Sequence, residues 1–359
     1  MIVAVWFKLF GVGNAMAWKF MQVLGDVLIA FLVYLTAKDV FGRKLPATIA
    51  FILYCASPFV AVYAGMMLTE VSSVFCIVLF IFLWHRYFLT KKILYLVSGV
   101  FFMSYLSEIR PVYFYFMVGL FVVTLLLMLK MRVSWYKWIP IIVAFILPIS
   151  YAIAGNYVMF GRISPLVVDG GFSRQLVGSE YMEGRAPHPI DRPGGFPDRV
   201  VAMQWALGWP YDGAHRDSMA NDELKEGIAI ARKDPMHFLR ERLNKAWYIW
   251  EKQYLFIFTE APQAIETAVS ITNLLLILFA VLGITYFGTR PMQWHQRIIW
   301  LTCIAIILYT TVAHMVSDGE ERYSLPAYPI LFIFAGYALS IIKDLVRKPV
   351  IKIERSNRR

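Results

Sequence analysis

Tyr63-Ala-Gly-Met-Met-Leu-Thr-Glu70 is a short break between two apolar runs, residues 45–62 and 71–84. Each run is of the order needed to cross a bilayer as a helix, which takes roughly 17–25 residues. The break therefore reads as a loop between two spans, and Glu70 as an ionisable group at the lip of a membrane. An acid is costly there and marks a functional site by default. An acid near a helix start also suits the helix macrodipole, so a cap facing interfacial water fits the same residues. The rest of the chain decides between them.

Working outward from this break, further apolar runs follow at regular intervals. The whole chain is 59% hydrophobic and 16% charged over 359 residues, with mean hydropathy +0.59. That is too apolar for a soluble domain of this length. Nine spans are expected, near residues 20–37, 45–63, 69–84, 93–108, 111–130, 138–154, 266–287, 298–315 and 325–342. The expected architecture is thus an all-α polytopic membrane protein in five parts. These are an external interfacial segment (1–19), a six-helix region (20–154), an external loop domain (155–265), a three-helix region (266–342) and a basic tail (343–359).

Lysine and arginine set the orientation. Connectors 38–44, 85–92 and 130–137 carry Lys38, Arg43, Lys44, Arg86, Lys91, Lys92, Lys130, Arg132 and Lys137. Connector 288–297 adds Arg290 and Arg297, and residues 343–359 add seven more. The intervening short loops hold one basic residue each at most. The positive-inside rule then makes the basic connectors and the C-terminus cytoplasmic. Nine spans with the C-terminus inside leave residues 1–19 outside without a signal sequence, so one further span upstream is expected. The net charge of +11 lies outside the 155–265 segment, which holds 13 Lys/Arg against 14 Asp/Glu. Topology and anionic lipid account for that excess, which excludes nucleic acid as the expected partner. Cys55, Cys76 and Cys303 all fall in apolar runs, which excludes a disulfide framework.

The 155–265 segment divides in two. Residues 155–210 are rich in Gly and Pro, as in Ala186-Pro-His-Pro-Ile-Asp-Arg-Pro-Gly-Gly-Phe-Pro197. A loop of that length suits a lid over a substrate. Asn221-Asp-Glu starts a helix with a cap and first-turn acids. After Asp234-Pro235, residues Phe238, Leu239, Leu243, Ala246, Trp247 and Trp250 recur at helical spacing, with Arg240, Arg242 and Lys245 between them. This predicts a basic amphipathic helix near 235–251, suited to the membrane interface or to packing on neighbouring helices. The motifs of zinc proteases, serine hydrolases, P-loops and dinucleotide sites are missing from the sequence.

Topology gathers the remaining polar residues in one external layer. Thr69-Glu70, Ser107-Glu108-Ile-Arg110-Pro111 and Ser317-Asp-Gly-Glu320-Glu321-Arg322-Tyr323 each stand at the mouth of a span, and Asp26 lies one to two turns inside the first. Arginine binds phosphate in a fork, and carboxylates hold a metal or take a proton. Converged, such groups suit an anionic lipid head group. Separately, each would be a solvated turn or a local salt bridge.

In these pieces the chain resembles the GT-C class of integral-membrane glycosyltransferases, in particular bacterial relatives of protein O-mannosyltransferases and of the lipid A aminoarabinose transferase. The resemblance rests on Gln22-Val-Leu-Gly-Asp26 running into Leu32-Val-Tyr-Leu-Thr-Ala-Lys-Asp-Val-Phe-Gly-Arg43, Ser57-Pro58, Tyr63 to Glu70, Arg110-Pro111, the Asp234-Pro235 helix and Glu321-Arg322-Tyr323-Ser-Leu-Pro-Ala-Tyr-Pro329. It covers most of the chain through order and spacing. It implies inverting transfer of a sugar from a polyprenyl-phosphate carrier to a glycolipid, polymer or protein on the extracytoplasmic face, often with Mg or Mn. On this likeness Glu70, Glu320 and Glu321 orient the acceptor or a metal, with Glu70 its ligand. Arg110, Arg322 and Tyr323 bind the carrier phosphate, and Asp26, Thr69 and Glu108 are further candidates. The family's base lies in the first external loop, which would fall upstream of Met1. A chain lacking that loop could equally be an inactive relative, and a transporter or flippase for a lipid or anion, or a non-catalytic assembly subunit, are the readings outside catalysis.

Overall fold

The computed structural model describes residues 8–11, 14–66, 69–161, 163–165, 225, 227–229, 231–252, 263–316 and 321–356. The expected lid, apart from residues 155–161 and 163–165, lies outside them, as do Glu320 and the helix start at Asn221. Among the described residues every regular element is helical, and seven helices are long and apolar enough to cross a membrane. The chain is an all-α, multi-pass membrane protein, as its composition predicts.

Helix α1 spans Ala15–Phe41. The Asn14 side chain caps its start by accepting from the Ala17 N–H, and Gly42 ends it at φ 64°, a left-handed conformation that glycine adopts without cost. Next come α2 (Lys44–Cys55) and α3 (Pro58–Ala64), bent by 54° at the break between them. Pro58 has no N–H to donate, and it holds Ser57 in an extended conformation, so one helix cannot run through. The single span expected at 45–63 falls on this bent pair, not on one straight helix.

Helix α4 spans Glu70–Thr90 and α5 spans Ile93–Ile109. A 3-10 turn at Pro111–Tyr113 leads into α6 (Phe114–Lys130), and α7 follows at Trp138–Phe160. Helix α8 spans Pro235–Tyr248, α9 Gln263–Gly288 and α10 Trp294–Val316. A 3-10 segment, Glu321–Ala327, enters α11 (Tyr328–Ser356). Helix α5, at 17 residues, is apolar but shorter than the seven qualifying helices.

The chain forms two compact units. The first comprises Met1–Ile149, Trp250–Thr310 and Glu321–Arg359, and α11 is its axis. In the 321–346 stretch 83% of the best apolar window is buried, and 67% in α4, against 17–33% for the other qualifying helices. Helices apolar all round belong inside, while the rest keep a broad apolar face outward, as lipid demands. Close approach of α11 to its neighbours rests on two glycines: a Cβ on Gly283 of α9 would lie 2.0 Å from the Phe334 carbonyl oxygen, and one on Gly336 would lie 2.7 Å from the Pro46 oxygen. Small residues are what let membrane helices pack backbone to backbone. Phe41, Phe287, Phe334 and Tyr337 fill the space around that contact.

The basic connectors meet within this unit. Arg43 pairs with Asp344 at 2.7 Å, Arg86 with Asp39 at 2.9 Å, and Gln296 donates to the Val40 carbonyl. Connectors 38–44, 85–92 and 288–297 and the start of the tail therefore share one end, as their alternation along the sequence requires.

The second unit comprises Ser150–Ile249 and Thr311–Glu320. Its α8 begins as predicted, with the Asp234 side chain accepting from the His237 N–H at 3.0 Å and Pro235 at the first position. Met236, Leu239, Leu243 and Trp247 form an exposed stripe, while Arg242 is buried with its guanidinium 4.2 Å from the Phe238 ring. The spacing alone would leave Arg242 in solvent. Stacking on an aromatic ring one turn earlier lets the weakly hydrated guanidinium turn inward instead.

Candidate functional site

Glu70 is the first residue of α4 and not a loop residue, and it is 3% exposed. Its Oε1 accepts from Arg110 Nη2 at 2.7 Å, and Arg322 Nε lies 3.8 Å from the same oxygen. Local structure aims both arginines. The helix α5 ends at Arg110, whose extended backbone (φ −138°, ψ 95°) turns the chain before Pro111. Arg322 sits in the 3-10 segment ahead of α11. The Tyr323 ring lies beside both cations, 5.3 Å from the Arg110 guanidinium carbon and 5.4 Å from that of Arg322. Residues 40 and 252 positions apart in sequence thus meet around one buried carboxylate.

This arrangement has polar capacity left over. Glu70 Oε2 and Arg110 Nε are buried and, among the described residues, have no hydrogen-bond partner. A buried polar atom without a partner costs about 1–3 kcal/mol, so such atoms point to water or a ligand.

The other expected residues divide. Asp26 lies on α1 and accepts a 2.5 Å hydrogen bond from the Tyr54 hydroxyl. Asp26 and Glu70 are among the residues around one small cavity, together with Tyr54 and Tyr63, and the surface open to it is apolar. Glu321 is buried, and its backbone carbonyl accepts from Lys252 Nζ at 2.5 Å. Thr69 is exposed and makes no side-chain cap on α4, so it does not join the cluster. Glu108 sits half-buried in the last turn of α5 and makes no hydrogen bond or ion pair among the described residues.

Lys252 is the residue that the sequence does not announce. It is 0% exposed, just after α8 in Trp250-Glu251-Lys252, with nothing in its spacing to mark it. Besides the Glu321 carbonyl, its Nζ donates to Ser324 Oγ at 2.9 Å and sits 4.9 Å from the Tyr328 ring. Tyr328 donates to Asn273 Oδ1 at 2.7 Å, and Asn273 Nδ2 donates to the Trp250 carbonyl at 2.6 Å. Through this network Lys252 fastens the 3-10 segment that presents Arg322 and Tyr323.

Burial pushes the Lys252 ammonium down to about 7, against the pull of the Glu321 carboxylate. The sign of its pH dependence follows. Between pH 7 and about 9 the unfolded chain holds this proton and the folded chain releases it, so stability rises with pH. The thermal midpoint of detergent-solubilised protein should climb over that window and the Lys252→Met variant should lose the slope. An equal slope in the variant would assign it elsewhere.

No family model matches the chain. It is 34% identical over 91 residues to an uncharacterized protein of Aquifex aeolicus (strain VF5), an alignment that spans 25% of this chain and 18% of that relative.

Proposed function

We propose that this protein is a glycosyltransferase that moves a sugar from a polyprenyl-phosphate carrier to an acceptor on the extracytoplasmic face of the membrane, with inversion at the anomeric carbon. The observation that carries the reading is the pair of arginines converging on Glu70 with the Tyr323 ring beside both. When an acceptor oxygen bonds to the sugar carbon, the carbon–oxygen bond to phosphate breaks and that electron pair leaves on the carrier. Charge grows on the phosphate, and cations fixed before the reaction stabilise it. Arg110 and Arg322 supply those cations, Glu70 holds them in register while the site is empty, and Glu321 keeps the loop that carries Arg322. Toward Mg or Mn the described residues supply Glu70 Oε2, with no group of three or more His, Cys, Asp or Glu around it, so no step is routed through a metal.

In this reading the bent pair and α5 count as spans beside the seven, giving nine. The basic connectors face the cytoplasm of a bacterial cell, the Glu70 layer faces outward, and the exposed Met236–Trp247 stripe of α8 rests on the lipid surface. The acceptor class is a glycolipid, an envelope polymer or a protein.

Arg322→Ala should abolish transfer from radiolabelled polyprenyl-phosphate sugars in purified membranes, a loss of at least about a hundredfold if it removes one charge-stabilising contact, while thermal stability holds. Full activity of that variant would refute the assignment. One observation favours a second reading. A helix pair broken inside a membrane span, here bent by 54°, is how transporters build substrate sites. Lipid or anion flux in liposomes without sugar transfer would decide for it.

A further inference from the structure

At the end of the first unit where the basic connectors meet, the turn after α9 fixes an arginine in place. Helix α9 closes at Gly288, packed so tightly that a Cβ there would lie 2.6 Å from a Trp300 ring atom, and the Arg290 N–H donates to the Phe287 carbonyl at 3.2 Å. Arg290 itself is exposed. Its guanidinium lies 4.2 Å from the Tyr286 ring, and its Nη2 donates to the Tyr286 hydroxyl. A second, weaker hydrogen bond runs to the hydroxyl of Tyr337, which is buried on α11 beneath it. Holding a long charged side chain in one geometry costs entropy. Arg290 nevertheless makes no ion pair among the described residues, whereas Arg43, which also acts on Tyr337, is paired with Asp344 at 2.7 Å.

What this cluster offers a ligand is donors. A phenol that accepts from a guanidinium keeps its own O–H to donate, so Tyr286 adds one donor to the remaining N–H groups of Arg290. A positive, planar fork of donors matches the oxygens of a phosphate. The surface that leads to it is apolar. Leu275, Leu278, Leu282 and Tyr286 recur at helical spacing along one side of α9, each 39–52% exposed. From Leu275 to Tyr286 the helix rises about 16 Å, close to half of a hydrocarbon core roughly 30 Å thick. We propose that this is a phospholipid site, in which Arg290 and the Tyr286 hydroxyl hold the headgroup phosphate and the α9 stripe carries an acyl chain.

Charge balance selects the headgroup. A zwitterionic lipid brings an ammonium beside its phosphate, and that ammonium needs a carboxylate. Asp344, the acid that α11 brings to this end, is already taken by Arg43. A headgroup whose phosphate is its only charge, such as phosphatidylglycerol, needs no further partner. Glu70 opens α4 and Arg86 of the basic connectors lies near its close. The lipid site is therefore at the opposite end of the unit from the paired arginines, and it stands whatever their substrate is.

Titrating phosphatidylglycerol into the full chain in a neutral detergent, followed by native mass spectrometry, tests the site. The wild type should retain one lipid, and its affinity should fall roughly tenfold to a hundredfold in Arg290→Gln, the range for losing a charge-assisted hydrogen bond. Arg290→Lys should not restore it, because a point charge has no fork. Tyr286→Phe keeps the ring, removes the O–H and should weaken binding less. Arg297→Gln takes the same charge from the same connector and should leave binding unchanged. All four positions changed are at exposed side chains, and equal thermal midpoints will show that the variants are folded. Equal losses in Arg290→Gln and Arg297→Gln would reduce the effect to general surface potential and overturn the proposal. Equal affinity for phosphatidylcholine of the same chain length would also overturn it. Glycerol phosphate competing at the lipid's own affinity would make this a free-phosphate site, with no part for the α9 stripe.

Discussion

Arg110→Met will cost the protein roughly 3–5 kcal/mol, the usual penalty for removing one partner of a buried ion pair. The penalty comes from what stays behind. Glu70, 3% exposed, would keep only Arg322 at 3.8 Å, and its Oε2 already has no partner among the described residues. Desolvated charge with poor compensation is far more expensive than the pair was favourable. The double variant Glu70→Leu with Arg110→Met should therefore recover most of the loss, because replacing both charges by apolar groups of similar volume is often neutral. Midpoints in graded detergent denaturation, followed by tryptophan fluorescence, give both values. A single variant within about 1 kcal/mol of wild type would mean that water reaches the pair and that it behaves as a surface contact.

The second large effect concerns packing. Gly283→Ala should cost about 3 kcal/mol or more, at or beyond the upper end for overpacking. The added Cβ would meet the Phe334 carbonyl oxygen at 2.0 Å and carbon at 2.8 Å, both backbone atoms, so no rotamer change relieves the clash. Helices α9 and α11 must separate, which opens the Phe41, Phe287 and Tyr337 cluster around the contact. Gly119→Ala is the control, since nothing lies within 4 Å of its Cβ position and alanine is the better helix former. It should be neutral or slightly stabilising by the same denaturation assay. Equal behaviour of the two variants would show that α9 and α11 are not in backbone contact.

Much of this molecule can be read from its residues because a bilayer leaves so few choices. Backbone groups in lipid must be satisfied within a helix, so an apolar run of sufficient length is nearly a structure in itself. The alternation of Lys and Arg between connectors carries the ends, and the contacts Arg43–Asp344 and Arg86–Asp39 follow it. Parity then places Glu70, Arg110 and Arg322 in one layer before any distance is known. Parity cannot say which side chains touch. Thr69 and Glu108 share the layer with Arg110 and take no part in its ion pairs, because helix phase and the extended backbone at Arg110 decide where each side chain points. Lys252 escapes for the same reason: its burial is made by Ser324, Tyr328 and the Glu321 carbonyl, some 70 residues away.

The bend at Ser57–Pro58 acquires a meaning from where Tyr54 and Tyr63 end up. Nine residues of straight α-helix make about two and a half turns and span roughly 13 Å, which would set these two side chains on opposite faces. Both nevertheless line the cavity of Asp26 and Glu70. The break at Ser57–Pro58, which bends the two helices by 54°, is what frees them from that geometry. The lining of that cavity thus depends on a proline that is not itself part of it.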